Sequence, residues 1–246
     1  MLIIANWKAY VADLARAKQR FAAAKRAAGK GATIVLAPPA PILGALAVGN
    51  RSAVAFAAQD VSATLGGPET GEAVAGAFAA AGASYAIVGH SERRAGGDTN
   101  DLVAVKLSHI IAEELVPVLC VGERERDASG QYLAFIREEL TSALAPLAPK
   151  ERARVTIAYE PVWAIGKGAA DAIHPNDLAE MVLYIRKVLA ELLPGKSAGN
   201  ARILYGGSVE PGNVRDLVAS SAVDGVLVGH ASVDPASFAA LVKALS

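Results

Sequence analysis

The 246-residue sequence predicts an α/β protein built as a single closed (β/α)8 barrel over residues 1–246. Three observations carry that expectation. Short β-rich runs alternate with longer alanine-rich helical stretches, a strand-plus-crossover pattern repeated eight times at about 31 residues per unit. The strand candidates are mostly apolar throughout, as strands buried on both faces of a parallel sheet are. A chain of about 250 residues with that repeat fits a closed barrel. A doubly wound open sheet is the alternative. It usually places a glycine-rich dinucleotide loop after its first strand, and Asn6-Trp7-Lys8 stands there instead.

Taken in order, the strand candidates are Leu2 to Ala5, Thr33 to Ala37, Ala53 to Ala58, Tyr85 to Val88, Val116 to Val121, Val155 to Tyr159, Arg202 to Tyr205 and Gly225 to Val228. Val11 to Ala28 carries Leu14, Ala17, Phe21 and Ala24 at helical spacing. Asp98-Thr99 is suited to cap a helix running to about Glu114. Gln131 to Leu144 repeats the pattern with Leu133, Ile136 and Leu140. Pro175 opens a helix at its first position, with Asp177 in the first turn, and Pro194-Gly195 stops it after Leu193. Pro211 and Pro235 read as similar openings. No linker or low-complexity segment divides the chain.

Composition narrows the function classes. Lys+Arg and Asp+Glu are both 24, so no basic surplus points to nucleic acid and no charge run points to a membrane surface. An anionic ligand must therefore be held by local groups rather than by a global field. The single cysteine, Cys120, rules out an intrachain disulfide and fits a reducing compartment. The start of the chain lacks the basic and apolar regions of a signal peptide, and no long uncharged apolar stretch suggests a membrane span. A cytoplasmic location is expected.

In a barrel, the residues just after each strand converge at one face, where active sites are built. Here Asn6 and Lys8 follow the first strand, and Gly89-His90-Ser91-Glu92 the fourth. Glu160 ends the apolar run 155–159 and precedes Pro161, Val162, Trp163 and a loop with glycines at 166 and 168. A rigid strand end holds a base well, and glycine lets the following loop move. Gly206-Gly207-Ser208 follows the seventh strand and Gly229-His230 the eighth, both turns suited to phosphate. The histidines at 90, 109, 174 and 230 have no metal-ligand spacing. A base, a hydrogen-bond donor and a phosphate cradle suit proton transfer beside a carbonyl in a phosphorylated sugar. Singly, each group has a plain reading: Lys8 as a surface charge, His90 at a helix start, Ser208 as a helix cap.

The motifs taken together resemble the triosephosphate isomerase family along nearly the whole chain. They are Ala5-Asn6-Trp7-Lys8, Thr70-Gly71-Glu72, Gly89-His90-Ser91-Glu92-Arg93-Arg94, Cys120-Val121-Gly122-Glu123, Tyr159-Glu160-Pro161-Val162-Trp163-Ala164-Ile165-Gly166, Tyr205-Gly206-Gly207-Ser208-Val209 and Leu227-Val228-Gly229. The resemblance implies a TIM barrel that interconverts dihydroxyacetone phosphate and D-glyceraldehyde 3-phosphate through an enediolate, with no cofactor and no metal. Such an enzyme serves glycolysis, gluconeogenesis and the pentose shunt. It implies Glu160 as base, a neutral His90 as electrophile, Lys8 facing the phosphate with Glu92 as partner, and Asn6 positioning Lys8. The phosphate would rest on backbone N–H groups of Gly166, Ser208, Gly229 and His230. Pro161, Val162, Trp163, Ala164, Ile165, Gly166 and Lys167 would form the lid. Thr70 would reach into a second subunit of a homodimer.

The chain departs from the family's usual pattern in places. His230 replaces a second glycine, and Gly166-Lys167-Gly168-Ala169-Ala170 alters the second lid hinge. Ala9-Tyr10 stands for Met-Asn, and Asp98 for Glu. The departures leave two alternatives: an isomerase of a larger ketose phosphate such as erythrulose phosphate, and a non-catalytic barrel that binds phosphorylated metabolites.

Overall fold

The computed structural model describes residues 1–29, 31–166, 172–195 and 197–246. Eight parallel strands close a barrel in chain order: β1 (Leu2–Asn6), β2 (Thr33–Ala37), β3 (Ala55–Ala58), β4 (Tyr85–Val88), β5 (Val116–Val121), β6 (Thr156–Tyr159), β7 (Ile203–Tyr205) and β8 (Gly225–Val228). The closed order removes the open-sheet alternative. The closing seam sets β8 against β1, Leu2 opposite Gly225 and Ala5 opposite Val228. Only glycine fits at 225, because a Cβ there would stand 1.9 Å from the carbonyl oxygen of Leu2.

The strand residues fall into two apolar clusters. Leu2, Ile4, Val35, Ala37, Ile87, Val118, Cys120, Ala158 and Leu204 are in one. Their chain neighbours Ile3, Ile34, Leu36, Val88, Leu119, Tyr159 and Tyr205 are in the other, together with helix residues such as Phe21, Ile136 and Ile185. Side chains alternate across a strand, so one set fills the barrel and the other lies under the helices. Both faces are dry, and that is why the strand sequences read as continuous apolar runs.

Between the strands lie α1 (Leu14–Ala27), α2 (Ala40–Ala47), α3 (Ala75–Ala80), α4 (Ser91–Ala95), α5 (Asn100–Ala112), α6 (Gln131–Leu144), α7 (Pro149–Arg152), α8 (Pro175–Leu192), α9 (Ser197–Asn200), α10 (Val214–Ser221) and α11 (Pro235–Ala244). The ends follow capping chemistry rather than apolar periodicity. α1 begins three residues later than its apolar pattern because Asp13 accepts the N–H of Arg16 at 2.8 Å. Thr99, not Asp98, caps α5, accepting the N–H of Leu102 at 3.3 Å. Pro211 does not open a helix. Asn213 accepts from the N–H of Glu210 at 2.9 Å and donates to the Ser208 carbonyl at 3.1 Å, tying residues 208–213 into a loop, so α10 starts at Val214. Pro235 does open α11, behind an Asp234 cap. β3 is shorter than expected by two residues, and β6 and β7 by one each.

Candidate active site

The site begins with an unusual backbone at the end of β1. Lys8 has φ +45°, the left-handed region that a residue with a Cβ seldom enters. Two side chains hold it there. Asn6 Oδ1 accepts the Lys8 N–H at 3.0 Å, and Gln59 Nε2 donates to the Lys8 carbonyl at 2.9 Å and to that of Ala37 at 2.8 Å. The side chain then reaches Glu92, with Nζ 2.6 Å from Oε1. Burial works against the Glu92 carboxylate, but the hydrogen bond and charge of Lys8, with His90 beside it, outweigh that and hold its pKa below the ordinary glutamate value.

β4 ends at Val88, and Gly89 at φ +70° turns the chain into α4. His90 is the N-cap of α4: its Nδ1 accepts the N–H of Glu92 at 3.2 Å. A ring nitrogen that accepts cannot carry the proton, so the imidazole N–H is at Nε2. That nitrogen lies 3.4 Å from Glu160 Oε1. His90 and Glu160 are 6% and 2% exposed, so the pair meets almost out of water.

Glu160 sits on a support with no room to spare. Its N–H donates to Val121 at 2.8 Å, and its Oε2 accepts the N–H of Ser91 at 3.2 Å. A Cβ on Gly122 would lie 1.8 Å from the Glu160 carbonyl oxygen, and one on Gly206 would lie 2.8 Å from its Cγ. Cys120 lies in the barrel below, and burial together with the Glu160 charge pushes its thiol pKa well above the usual range, away from thiolate chemistry.

The segment expected to form the lid begins as a short 3-10 turn, Val162–Ala164, tied at two points. Glu123 is 1% exposed and accepts from Tyr159 Oη at 2.8 Å, from Trp163 Nε1 at 2.9 Å and from Arg126 Nε at 3.2 Å. On the other side Ser208 Oγ donates to the Ala164 carbonyl at 2.7 Å. Gly166 turns the chain at φ +72°. Lys167, the end of the expected lid, and the altered hinge at 168–170 lie outside the described residues.

A cavity of about 140 Å3 joins these groups. Asn6, Lys8, His90, Glu160, Ser208 and Gly229 line it, as do Tyr10, Ile165, Gly166 and His230. Among the described residues, no protein acceptor takes the backbone N–H of Gly229 or His230. A larger depression of about 770 Å3 shares Asn6, Lys8 and His90 and runs past Glu92, Ser62 and Glu72. Thr70 is exposed in the loop above it. Among the described residues, no three His, Cys, Asp or Glu side chains are grouped to hold a metal ion.

A sequence model of triosephosphate isomerase matches residues 1–245. The chain belongs to the triosephosphate isomerase family. It is 38% identical to the triosephosphate isomerase of Symbiobacterium thermophilum, over 99% of this chain and 96% of that one. It is 41% identical to that of Bradyrhizobium sp., over 98% and 96%, and 40% identical to that of Thermus thermophilus, over 99% and 98%.

For a member of the triosephosphate isomerase family, the strand ends hold more than the polar residues given site roles from the sequence. Gln59 follows β3 and Glu123 follows β5, the same position that marked Asn6, His90 and Glu160. Glu139 was hidden. It comes from the middle of α6, yet its Oε2 accepts the N–H of Gly122 at 2.8 Å and its Oε1 lies 3.2 Å from Arg94 Nε. Burial raises its pKa to about 7, against the opposing Arg94 charge and the Gly122 N–H. Asp98 pairs with Lys106 at 2.6 Å and also holds the turn after His90, donating its N–H to the Arg93 carbonyl at 3.0 Å with Oδ1 3.7 Å from the Arg93 guanidinium.

Proposed function

We propose that this chain is an aldose–ketose isomerase that interconverts dihydroxyacetone phosphate and D-glyceraldehyde 3-phosphate. One observation carries the reading: a dry carboxylate and the proton-bearing nitrogen of an imidazole stand 3.4 Å apart and border one cavity with Lys8. Glu160 removes the proton from the carbon beside the carbonyl, giving an enediolate. It then returns a proton to the neighbouring carbon, while the hydroxyl proton on the first carbon's oxygen passes to the former carbonyl oxygen. His90 Nε2–H donates to the substrate oxygen that gains charge. Lys8, oriented by Asn6 and Glu92, supplies a positive charge to the same region and to the phosphate. The phosphate rests on the backbone N–H groups of Gly166, Ser208, Gly229 and His230. The lid 161–167 closes over it and excludes water. The chemistry is proton transfer alone and calls for neither cofactor nor metal.

In D2O, carbon-bound deuterium should enter dihydroxyacetone phosphate in the presence of the protein and fail to do so with Glu160→Gln. Deuterium uptake that survives the substitution would remove Glu160 as the base. The family membership favours this reading over a larger ketose phosphate. A non-catalytic barrel has no use for a base with its partner imidazole.

The chain is further proposed to work as a cytoplasmic homodimer. Leu65, 72% exposed in the loop that carries Thr70, and the 770 Å3 depression beside Lys8 support a partner's loop seated there. A sedimentation mass near 25.2 kDa at micromolar concentration, rather than twice that, would contradict the dimer.

A further inference from the structure

His230 and Tyr10 touch across the mouth of the 140 Å3 cavity, ring centroids 5.8 Å apart with planes at 77°. Edge-on contact is a favoured aromatic geometry and restrains both rings. Each is anchored on its own side of the β1–β8 seam. Tyr10 donates its N–H to the Trp7 carbonyl at 3.1 Å. His230 opens the 3-10 turn His230–Ser232, and Ser232 Oγ donates to the Gly229 carbonyl at 2.7 Å. Lys8 lies at the same seam: its Cε is 3.5 Å from where a Gly229 Cβ would be. Lys8 and His230 therefore border the cavity from the seam, while Glu210 lines it elsewhere. With no net charge on the chain to attract an anion, the hold on a phosphate depends on donors at that wall.

We propose that the His230 imidazole, braced by Tyr10, donates a side-chain hydrogen bond to the substrate phosphate and sets the preference for phosphorylated over unphosphorylated substrates. This rests on the phosphorylated-sugar reading above. Backbone N–H groups and Lys8 grip the near oxygens. The imidazole adds a donor from the rim, where a glycine would offer only its main chain.

The test uses the full chain, its His230→Ala, His230→Gln and Tyr10→Ala variants, and inorganic phosphate as the calorimetric ligand. One charge-assisted hydrogen bond corresponds to about a tenfold change in affinity. His230→Ala should weaken phosphate binding about tenfold. It should also lower kcat/KM for D-glyceraldehyde 3-phosphate relative to D-glyceraldehyde by about the same factor. His230→Gln, which keeps a donor, should recover part of both, and Tyr10→Ala should shift both the same way as His230→Ala. Phosphate affinity and substrate ratio unchanged in His230→Ala would overturn the proposal. His230-dependent phosphate binding by a protein that turns over neither triose would uphold it and sink the proposed substrate instead.

Discussion

Lys8 joins a backbone that resists its conformation to a side chain that pairs with Glu92 beside the cavity. A non-glycine residue at positive φ costs about 1–3 kcal/mol and persists where its surroundings over-determine it. Asn6 and Gln59 do that by gripping its N–H and its carbonyl. The outcome is an ammonium aimed at the cavity from a fixed base, 2.6 Å from Glu92. Lys8→Met should therefore weaken substrate binding and slow turnover by several kcal/mol combined, about 3 or more, read from kcat/KM. Kinetics close to the native protein would remove Lys8 from its assigned role. The glycines at 122 and 206 act by the same logic from the other side: they let the backbone and Cγ of Glu160 approach more closely than any Cβ permits.

Among the elements, the eight strands were legible because burial on both faces leaves no polar interruption. α2, α3, α7 and α9 were not singled out; they are eight residues or fewer, and too short for an apolar period to stand out. Asn6, Lys8, His90 and Glu160 were readable from their place at strand ends. Glu123, inside a motif that carries the resemblance, and Gln59 occupy equivalent ends, but the sequence assigns neither a site role. Their partners, Trp163 Nε1 and the Lys8 carbonyl, lie 40 and 51 residues away in sequence, and only the barrel brings them together. Glu139 carried no positional signal, being one carboxylate on a helix with several. Glu123 anchors the 3-10 turn Val162–Ala164 through Trp163. Glu123→Ala would leave the buried Tyr159 hydroxyl, the Trp163 N–H and Arg126 without their common acceptor. A loss of about 3 kcal/mol in urea unfolding is expected, with kcat and KM both altered. A loss under about 1 kcal/mol with unchanged kinetics would contradict the anchoring role.

For the whole molecule, the Glu139–Arg94–Gly122 contact links α6, α4 and the end of β5 behind Glu160. A carboxyl with its pKa raised from 4.5 to about 7 binds a proton in the folded state that the unfolded chain releases. Its contribution is fully present below pH 4.5 and is lost as pH rises through about 7, up to about 3 kcal/mol in all. The native protein should lose that stability relative to Glu139→Gln between pH 4.5 and 8, measured as the difference between their urea midpoints at each pH. A constant difference across the range would contradict it. The central claim is the triose reaction itself, and the most direct test is kcat/KM of the purified protein for D-glyceraldehyde 3-phosphate beside a four-carbon ketose phosphate, with Glu160→Gln as control. Family membership implies a triose value of about 10⁶–10⁸ M⁻¹s⁻¹, near the diffusional ceiling, that collapses in the control. A triose value several orders lower, with the four-carbon sugar preferred, would contradict the account.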